Sequence, residues 1–439
     1  SGPQTFDIVD RIFKVKNLKE KASHTVIFGS IRDGEDLVDE VLVSVFRAPR
    51  TYTGEDLIEI SCHASPFIQD KILSLLQLEG ARLALPGEFT QRAFLNGKLD
   101  LAQAEAVADL IASENSASHK VALNQLRGGI SSELQDMRKH LIRLISLMEL
   151  ELDFSEEDVE FANRQELADL LQALIVRTQK MVASFEYGNA IKHGVPEAIV
   201  GKPNAGKSTL LNTLLQEERA IVSEIAGTTR DTIEETLTID GIKFRFIDTA
   251  GLRETADQIE AIGVERARKK VSQAKVLLYL YNYEDEAAEI IANVKSLRHP
   301  DLIVVLVRNK VDLEGGYFEN DLDKQLREAL SDQDAFQIVA ISAKDENSVA
   351  ALKSLLAAEF KNIQDENSVI VTNQRHVAAL KNALTELLQT QDQLEMNLTN
   401  DLLSFHLRRV AQHLGSITGD IEIDRDILGT IFGEFCIGK

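Results

Sequence analysis

The run Gly201-Lys202-Pro203-Asn204-Ala205-Gly206-Lys207-Ser208 constrains this chain more than any other feature. It fits the pattern G-x-x-x-x-G-K-[ST]; an apolar strand-like segment, Glu197 to Val200, precedes it, and helical spacing follows. Glycines there let the backbone wrap a phosphate, while the helix start aims N–H groups and partial positive charge at it. Such a loop needs a strand ending beneath it and a helix leaving it. Asn204, Ala205, Gly206, Lys207, Ser208 and Thr209 are therefore the first candidate contacts. Lys207 is expected to reach the β- and γ-phosphates, and the Ser208 hydroxyl to bind Mg2+.

The flanking pattern agrees with an α/β fold. Glu197 to Val200, Thr236 to Ile239, Lys243 to Ile247, Val276 to Tyr281, Leu302 to Val307 and Gln337 to Ile341 read as strands. Asp240-Gly241 reads as a hairpin turn between two of them. Helical segments separate most of the others, as in an open sheet covered on both faces.

Further motifs follow at the ends of these strands. In Asp248-Thr249-Ala250-Gly251 an aspartate can hold the metal's water and a glycine N–H can meet a γ-phosphate. Asn309-Lys310-Val311-Asp312 supplies a carboxylate able to accept two hydrogen bonds from guanine N1 and N2; adenine lacks those donors and would leave the acid unpaired. Ser342-Ala343-Lys344 suits the guanine O6 edge. The segment Ser223-Glu224-Ile225-Ala226-Gly227-Thr228-Thr229 is expected to lie against the nucleotide, with Thr229 as the second hydroxyl ligand of Mg2+. Together these motifs point to GTP or GDP with Mg2+. In Ras-like proteins a glutamine following D-x-x-G orients the attacking water. Leu252 stands there instead and can neither donate nor accept. Glu260, nearby in sequence, is the candidate for that task, against the plainer reading of a solvated glutamate at a helix start. Asn204 carries a side-chain oxygen able to hold a monovalent cation beside the phosphates.

The chain's 439 residues suggest about three domains. Residues to about 97 mix short β-patterned runs, Asp39 to Phe46 and Leu57 to Ser61, with a helix over Pro66 to Leu78. Helical spacing dominates from Asp100 to Leu152 and Arg164 to Tyr187, and returns after Asn373. Amphipathic helices on both sides of the α/β segment suggest one interrupted helical domain; two unrelated helical domains are the alternative. The fold class is thus multidomain: an N-terminal α+β domain (1–97), a helical-bundle domain (98–195 and 363–439) and an inserted Ras-like P-loop GTPase domain (196–362). A net charge of −22 argues against coating nucleic acid by bulk electrostatics. Cys62 and Cys436 are the only cysteines, which fits a reducing, cytoplasmic setting. The apolar runs are strand-sized, far short of the roughly 18 residues that span a bilayer, so no membrane is expected. The histidines lack metal-ligand spacing, so no zinc site is assigned.

The whole chain resembles the tRNA modification GTPase MnmE (TrmE) family. The resemblance rests on G-x-P-N-x-G-K-S, I-A-G-T-T-R-D and D-T-A-G-L-R-E-T, and on Tyr52-Thr53-Gly54-Glu55-Asp56 and Pro86-Gly87-Glu88-Phe89-Thr90. It continues through Arg92 to Leu101 and Gln103-Ala104-Glu105-Ala106-Val107 to the terminal Cys436-Ile437-Gly438-Lys439. It implies an N-terminal folate-binding and dimerising domain, and a homodimer acting with a flavin-dependent MnmG (GidA) subunit as a heterotetramer. The implied substrate is the wobble uridine of certain tRNAs, carried to a 5-aminomethyl- or 5-carboxymethylaminomethyl-type product. The one-carbon unit would come from a tetrahydrofolate derivative, 5,10-methylene- or 5-formyl-tetrahydrofolate being the candidates for binding. It also implies K+-stimulated hydrolysis, with Asn204 and backbone oxygens of Ser223, Ile225 and Thr228 as K+ ligands and Glu260 as the catalytic glutamate. Glu59, Lys98 and Lys439 correspond to folate contacts.

Some positions depart from the family pattern. Of its opening G-I-x-R-[IV]-S-G only Ser1-Gly2 stand here, so weak folate binding is expected of the chain as given. C-H-G-G is replaced by Cys62-His63-Ala64-Ser65, and Tyr279 to Tyr283 replaces a run that often holds an aspartate. Cys436 is either a low-pKa nucleophile or a small packing residue. The rival functional class is a GTP-dependent binding switch in ribosome assembly, which usually carries a basic appendage that neither flank has.

Overall fold

A computed structural model describes residues 1–14, 18–153, 164–216, 235–247, 271–299, 302–314, 319–330, 336–361, 369–396 and 400–419. The chain divides into two compact units, one of Ser1–Ser113, His119–Val182 and Gln374–Lys439, the other of Glu114–Ser118 and Ala183–Asn373.

The first unit opens with α1 (Thr5–Ile12) and the short β1 (Phe13–Lys14), then β2 (Thr25–Asp33), β3 (Asp36–Phe46) and β4 (Leu57–Ser61). These strands form an antiparallel sheet in the order β1-β2-β3-β4. Alternation sends Val41, Val43 and Val45 inward, where they pack with Ile31, Phe6 and Val9 and with Ile72 and Leu75 of α2 (Pro66–Leu78). The opposite face is different. Val26, Phe28 and Leu42 lie exposed there, Phe28 directly across from Leu42, with Ser44 across from Glu59 on the next strand pair. Sequence reading began β3 at Asp39; the structure starts it at Asp36, because the hairpin continues to the Asp33–Asp36 pair.

Helices complete this unit: α3 (Glu88–Leu95), α4 (Leu101–Ile111), α5 (Ser116–Leu126, which begins in the second unit), α6 (Gly129–Asp153) and α7 (Arg164–His193, which ends there). Asp100 caps α4, accepting from the Gln103 N–H at 2.8 Å in a capping box. The helices Gln374–Glu395 (α13) and Asn400–Thr418 (α14) pair closely, and α14 packs on α6 and α4.

The second unit is built on β5 (Val195–Gly201), α8 (Lys207–Gln216), β6 (Glu235–Ile239), β7 (Ile242–Phe246), β8 (Val276–Tyr281), α9 (Ala287–Leu297), β9 (Ile303–Arg308), α10 (Val311–Glu314), α11 (Asp321–Ala329), β10 (Phe336–Ala340) and α12 (Glu346–Lys361). Its six-stranded sheet runs β10-β9-β8-β5-β7-β6. All pairs are parallel except the β6–β7 hairpin, whose turn holds Asp240 at φ 51 and Gly241 at φ 85. Every residue of β8 is buried, as expected of a parallel strand covered on both faces. The strands fall within a residue or two of the segments read from the sequence.

Candidate functional site

The parallel strands β5, β9 and β10 end on one side of the sheet, and each is followed by one of the motif segments. The loop after β5 makes its turn with Asn204 at φ 62, a left-handed conformation that asparagine tolerates better than most residues. Gly206, at φ 99, has no room for a side chain: a Cβ would lie 2.1 Å from Asn309 Nδ2. At Gly201 a Cβ would lie 2.4 Å from the Leu280 carbonyl oxygen. Close approach of neighbouring groups therefore dictates both glycines of the motif.

Asn309 ties the segments together. Its Nδ2 donates to the Ala205 carbonyl at 2.7 Å, and its Oδ1 accepts from the Ala343 N–H at 2.9 Å. The Thr213 hydroxyl of α8 donates to the Ala343 carbonyl at 2.6 Å. Ser342 is held in turn by Ser348, whose hydroxyl accepts from the Ser342 N–H and donates to its carbonyl. Ala205, Asn309, Ser342 and Ala343 are buried, whereas Ser208, Thr209, Asp312 and Lys344 face solvent and Lys310 is half-buried at φ 66.

The two loop lysines behave differently. Lys207 Nζ donates to the Gly201 and Lys202 carbonyls at 2.8 and 2.7 Å, folding back onto its own loop. Lys202 instead pairs with Glu289 at 2.5 Å and Asp285 at 3.2 Å; the bond it donates to Glu289 leads the causes that raise its pKa. A glycine-lined turn holding an ammonium against backbone carbonyls fits a phosphate, whose oxygens could take that ammonium over.

Ser223, Glu224, Ile225, Ala226, Gly227, Thr228, Thr229, Asp248, Thr249, Ala250, Gly251, Glu260, Cys436 and Lys439 lie outside the described residues. Glu59 and Lys98 are described. Glu59 stands on the outward face of β4, and Lys98 donates to the Pro49 carbonyl at 3.0 Å. The family-like segments of this unit do converge. Tyr52 bonds Thr90 at 2.9 Å, Asn96 donates to the Thr53 carbonyl at 2.7 Å, and Arg92 pairs with Glu55 at 2.9 Å. Glu88 accepts from Arg82, from Arg92 and from the Leu85 N–H; the Arg82 bond is the main reason its pKa falls to about 2. Among the described residues no group of three metal-ligating side chains gathers, and no helix is long and apolar enough to cross a membrane.

Two buried charged residues of this unit carry no signal in the sequence. Glu197 of β5 is fully buried, which lifts its carboxyl pKa to about 8. Arg308, at the end of β9, is also fully buried and pairs with Glu314 and Asp323. A charged residue at a strand end reads as exposed, so no sequence signal marked either.

A phosphate-loop sequence leaving a central parallel strand, with loops from neighbouring strands tied to it, is the arrangement that a P-loop type of nucleotide-binding protein requires. The description "MnmE helical domain" matches residues 101–436, and "GTP-binding protein TrmE N-terminus" matches residues 1–98. The tRNA modification GTPase MnmE of Christiangramia forsetii is 48% identical over 451 residues, covering 100% of this chain and 95% of that protein. Its namesake in Cytophaga hutchinsonii is 48% identical over 442 residues, covering 100% and 94%. The chain belongs to the tRNA modification GTPase MnmE family.

Proposed function

We propose that this chain binds and hydrolyses GTP in an inserted G domain (196–362), and that K+-activated hydrolysis supports modification of the tRNA wobble uridine. The observation that carries the reading is the pair of hydrogen bonds made by Asn309, which couples the phosphate loop at Ala205 to the base-edge segment at Ala343. Lys207 and the loop N–H groups would hold the β- and γ-phosphates, and Ser208 and Thr229 would hold Mg2+. Asp248 and Gly251 would sense the γ-phosphate. Asp312 would read guanine N1 and N2, with Ser342, Ala343 and Lys344 along the O6 edge. Asn204, with oxygens of Ser223, Ile225 and Thr228, would hold K+, which supplies positive charge beside the transferring phosphoryl group. Glu260 would orient water, since Leu252 cannot.

The reading extends to the rest of the chain through the family. Residues 1–97 would bind a tetrahydrofolate derivative and form the homodimer; the exposed Val26, Phe28 and Leu42 beside Glu59 support such a face. Lys98 and Lys439 would join Glu59 at the folate. The helical domain (98–195 and 363–439) would bring Cys436 to the tRNA chemistry, in company with a flavin-dependent MnmG-type subunit in the cytoplasm.

The test is nucleoside analysis of tRNA from cells lacking the protein. Loss of the 5-substituted wobble uridine is expected, with return on expressing wild type but not Lys207→Ala. Unaltered wobble nucleosides in the deleted strain would overturn the tRNA assignment. Hydrolysis should also fall sharply when Na+ replaces K+, and equal rates would remove Asn204 as a cation ligand.

A further inference from the structure

Beneath the segment that carries Asp312 lies a buried charge cluster. Arg308 is, among the described residues, the largest of the fully buried side chains. Its Nη1 lies 3.3 Å from Glu314 Oε2 and 3.4 Å from Asp323 Oδ2. Asp323 is 3% exposed and accepts from the Tyr281 hydroxyl at 2.5 Å. It also belongs to the capping box of α11, its N–H donating to Asn320 Oδ1 at 2.9 Å.

Burying charges here is costly compared with filling the space by apolar side chains, so bulk stability does not explain the choice. Val304 and Leu306, which share the Arg308 face of β9, are apolar and belong to the core of this unit. What the cluster does supply is direction. Helix α10 has four residues, too few to hold its own shape in water. It starts after Lys310 in a left-handed conformation, at φ 66, and Val311 is pinned by a bond to the Ile341 carbonyl at 3.3 Å. Its far end is pinned by Glu314, which is 12% exposed and faces Arg308. Asp312 lies between these two anchors and is itself exposed.

We propose that Arg308 is a positioning residue for base recognition. By holding Glu314 against Asp323, it fixes the orientation of α10 and hence the direction of the Asp312 carboxylate. Arg308 reads no base itself. The inference rests on the reading of Asp312 as the guanine contact and deepens it.

The test compares affinities for GDP and IDP, which differ only in the N2 amine. Glu314→Gln keeps the shape of its side chain and removes its charge, while Arg308→Lys keeps the charge but replaces the guanidinium whose Nη1 faces both carboxylates. Either change should lower the GDP-to-IDP preference by about tenfold, the scale of one charged hydrogen bond. Thermal unfolding identifies variants that fold. A purely structural role would weaken GDP and IDP alike and leave their ratio unchanged in folded variants, which overturns the proposal. Asp312→Asn separates the two levels. If it moves preference toward xanthine nucleotides while Glu314→Gln and Arg308→Lys leave the ratio intact, only the role of Arg308 fails. If Asp312→Asn changes nothing, the base reading fails and takes this inference with it.

Discussion

The carboxamide of Asn309 donates to the Ala205 carbonyl at 2.7 Å, which fastens the segment after β9 directly to the loop after β5. The same group accepts from the Ala343 N–H, and at 2% exposure it leaves no room for water to replace either bond. Asn309→Ala should orphan a carbonyl and an N–H, at about 1–3 kcal/mol for each. GDP affinity is expected to drop by about ten- to a hundredfold, read by titration of a fluorescent GDP analogue. Asn309→Asp is the sharper probe: it can still accept from Ala343 but sets a carboxylate oxygen against the Ala205 carbonyl. Its affinity should fall at least as far. Unchanged affinity in both variants would mean that the two segments are held together elsewhere.

Glu197 makes a pH prediction. Its carboxyl is fully buried in β5, across from Val276 and Phe246, and neither oxygen has a hydrogen-bond partner among the described residues. Burial raises its pKa to about 8, so the folded state keeps the acid neutral where the unfolded chain ionises it. The sign follows from linkage. Stability is full below the unfolded pKa, falls as pH rises toward the folded value, and levels off above it. The slope is at most about 1.4 kcal/mol per pH unit. Glu197→Gln should flatten that dependence, so its urea midpoint should gain on wild type between about pH 5 and about pH 8. A constant gap across that range would show that the carboxylate does not titrate with folding.

Legibility in the sequence tracked periodicity. Leu57–Ser61 and Pro66–Leu78 have the bounds read from β-patterning and helical spacing; Ile58 and Ile60 share the inward face of the strand, and Ile72 and Leu75 that of the helix. The turn at Asp240-Gly241 was readable because two consecutive residues with positive φ suit these types. β2 lacks such a signal: Val26 and Phe28 are apolar yet face outward, while Ile27 and Ile31 face inward, so the alternation disappears. At the site, the motifs located Asn309, Lys207 and Ser342, since nucleotide chemistry restricts those residue types. Motif reading gave no hint that Asn309 bonds both loops, nor that Arg308 lies buried behind Asp312. Those depend on tertiary contacts between segments far apart in sequence, as with Asn309 and Ala205.

A second ion pair, with its carboxylate buried, should govern the helical part of the first unit. Arg375 of α13 forks onto Glu105 of α4 at 2.9 and 3.0 Å, and its Nη1 and Nη2 also donate to the Ser416 and Ile417 carbonyls at the end of α14. His376 adds a contact to Glu105 at 2.6 Å. Arg375→Ala would leave the Glu105 carboxylate with His376 alone and orphan two helix-end carbonyls, at a cost of about 3–5 kcal/mol. Urea unfolding followed by far-ultraviolet circular dichroism should register the loss. Arg375→Lys should recover part of it, because the charge returns without the fork. Equal stability for Arg375→Ala and wild type would mean that Glu105 is solvated in solution.

The outward face of the N-terminal sheet tests the proposed homodimer without touching the nucleotide site. Val26 and Phe28 are each 64% exposed and Leu42 is 47% exposed, side by side across the β2–β3 ladder. Apolar side chains gathered on one sheet face mark a surface that gains by being covered. Glu59 lies on the adjoining strand across from Ser44, so a partner copy covering Phe28 and Leu42 would also border Glu59. Phe28→Glu adds charge to that surface and leaves the inward residues Ile27, Val41 and Val43 in their core. The variant should therefore fold, bind GDP as wild type does, and sediment as a monomer where wild type sediments as a dimer. On the proposal that Glu59 contacts folate, folate affinity should fall with it, because Glu59 borders the covered face. A Phe28→Glu protein that remains dimeric would move the interface to another face of the first unit.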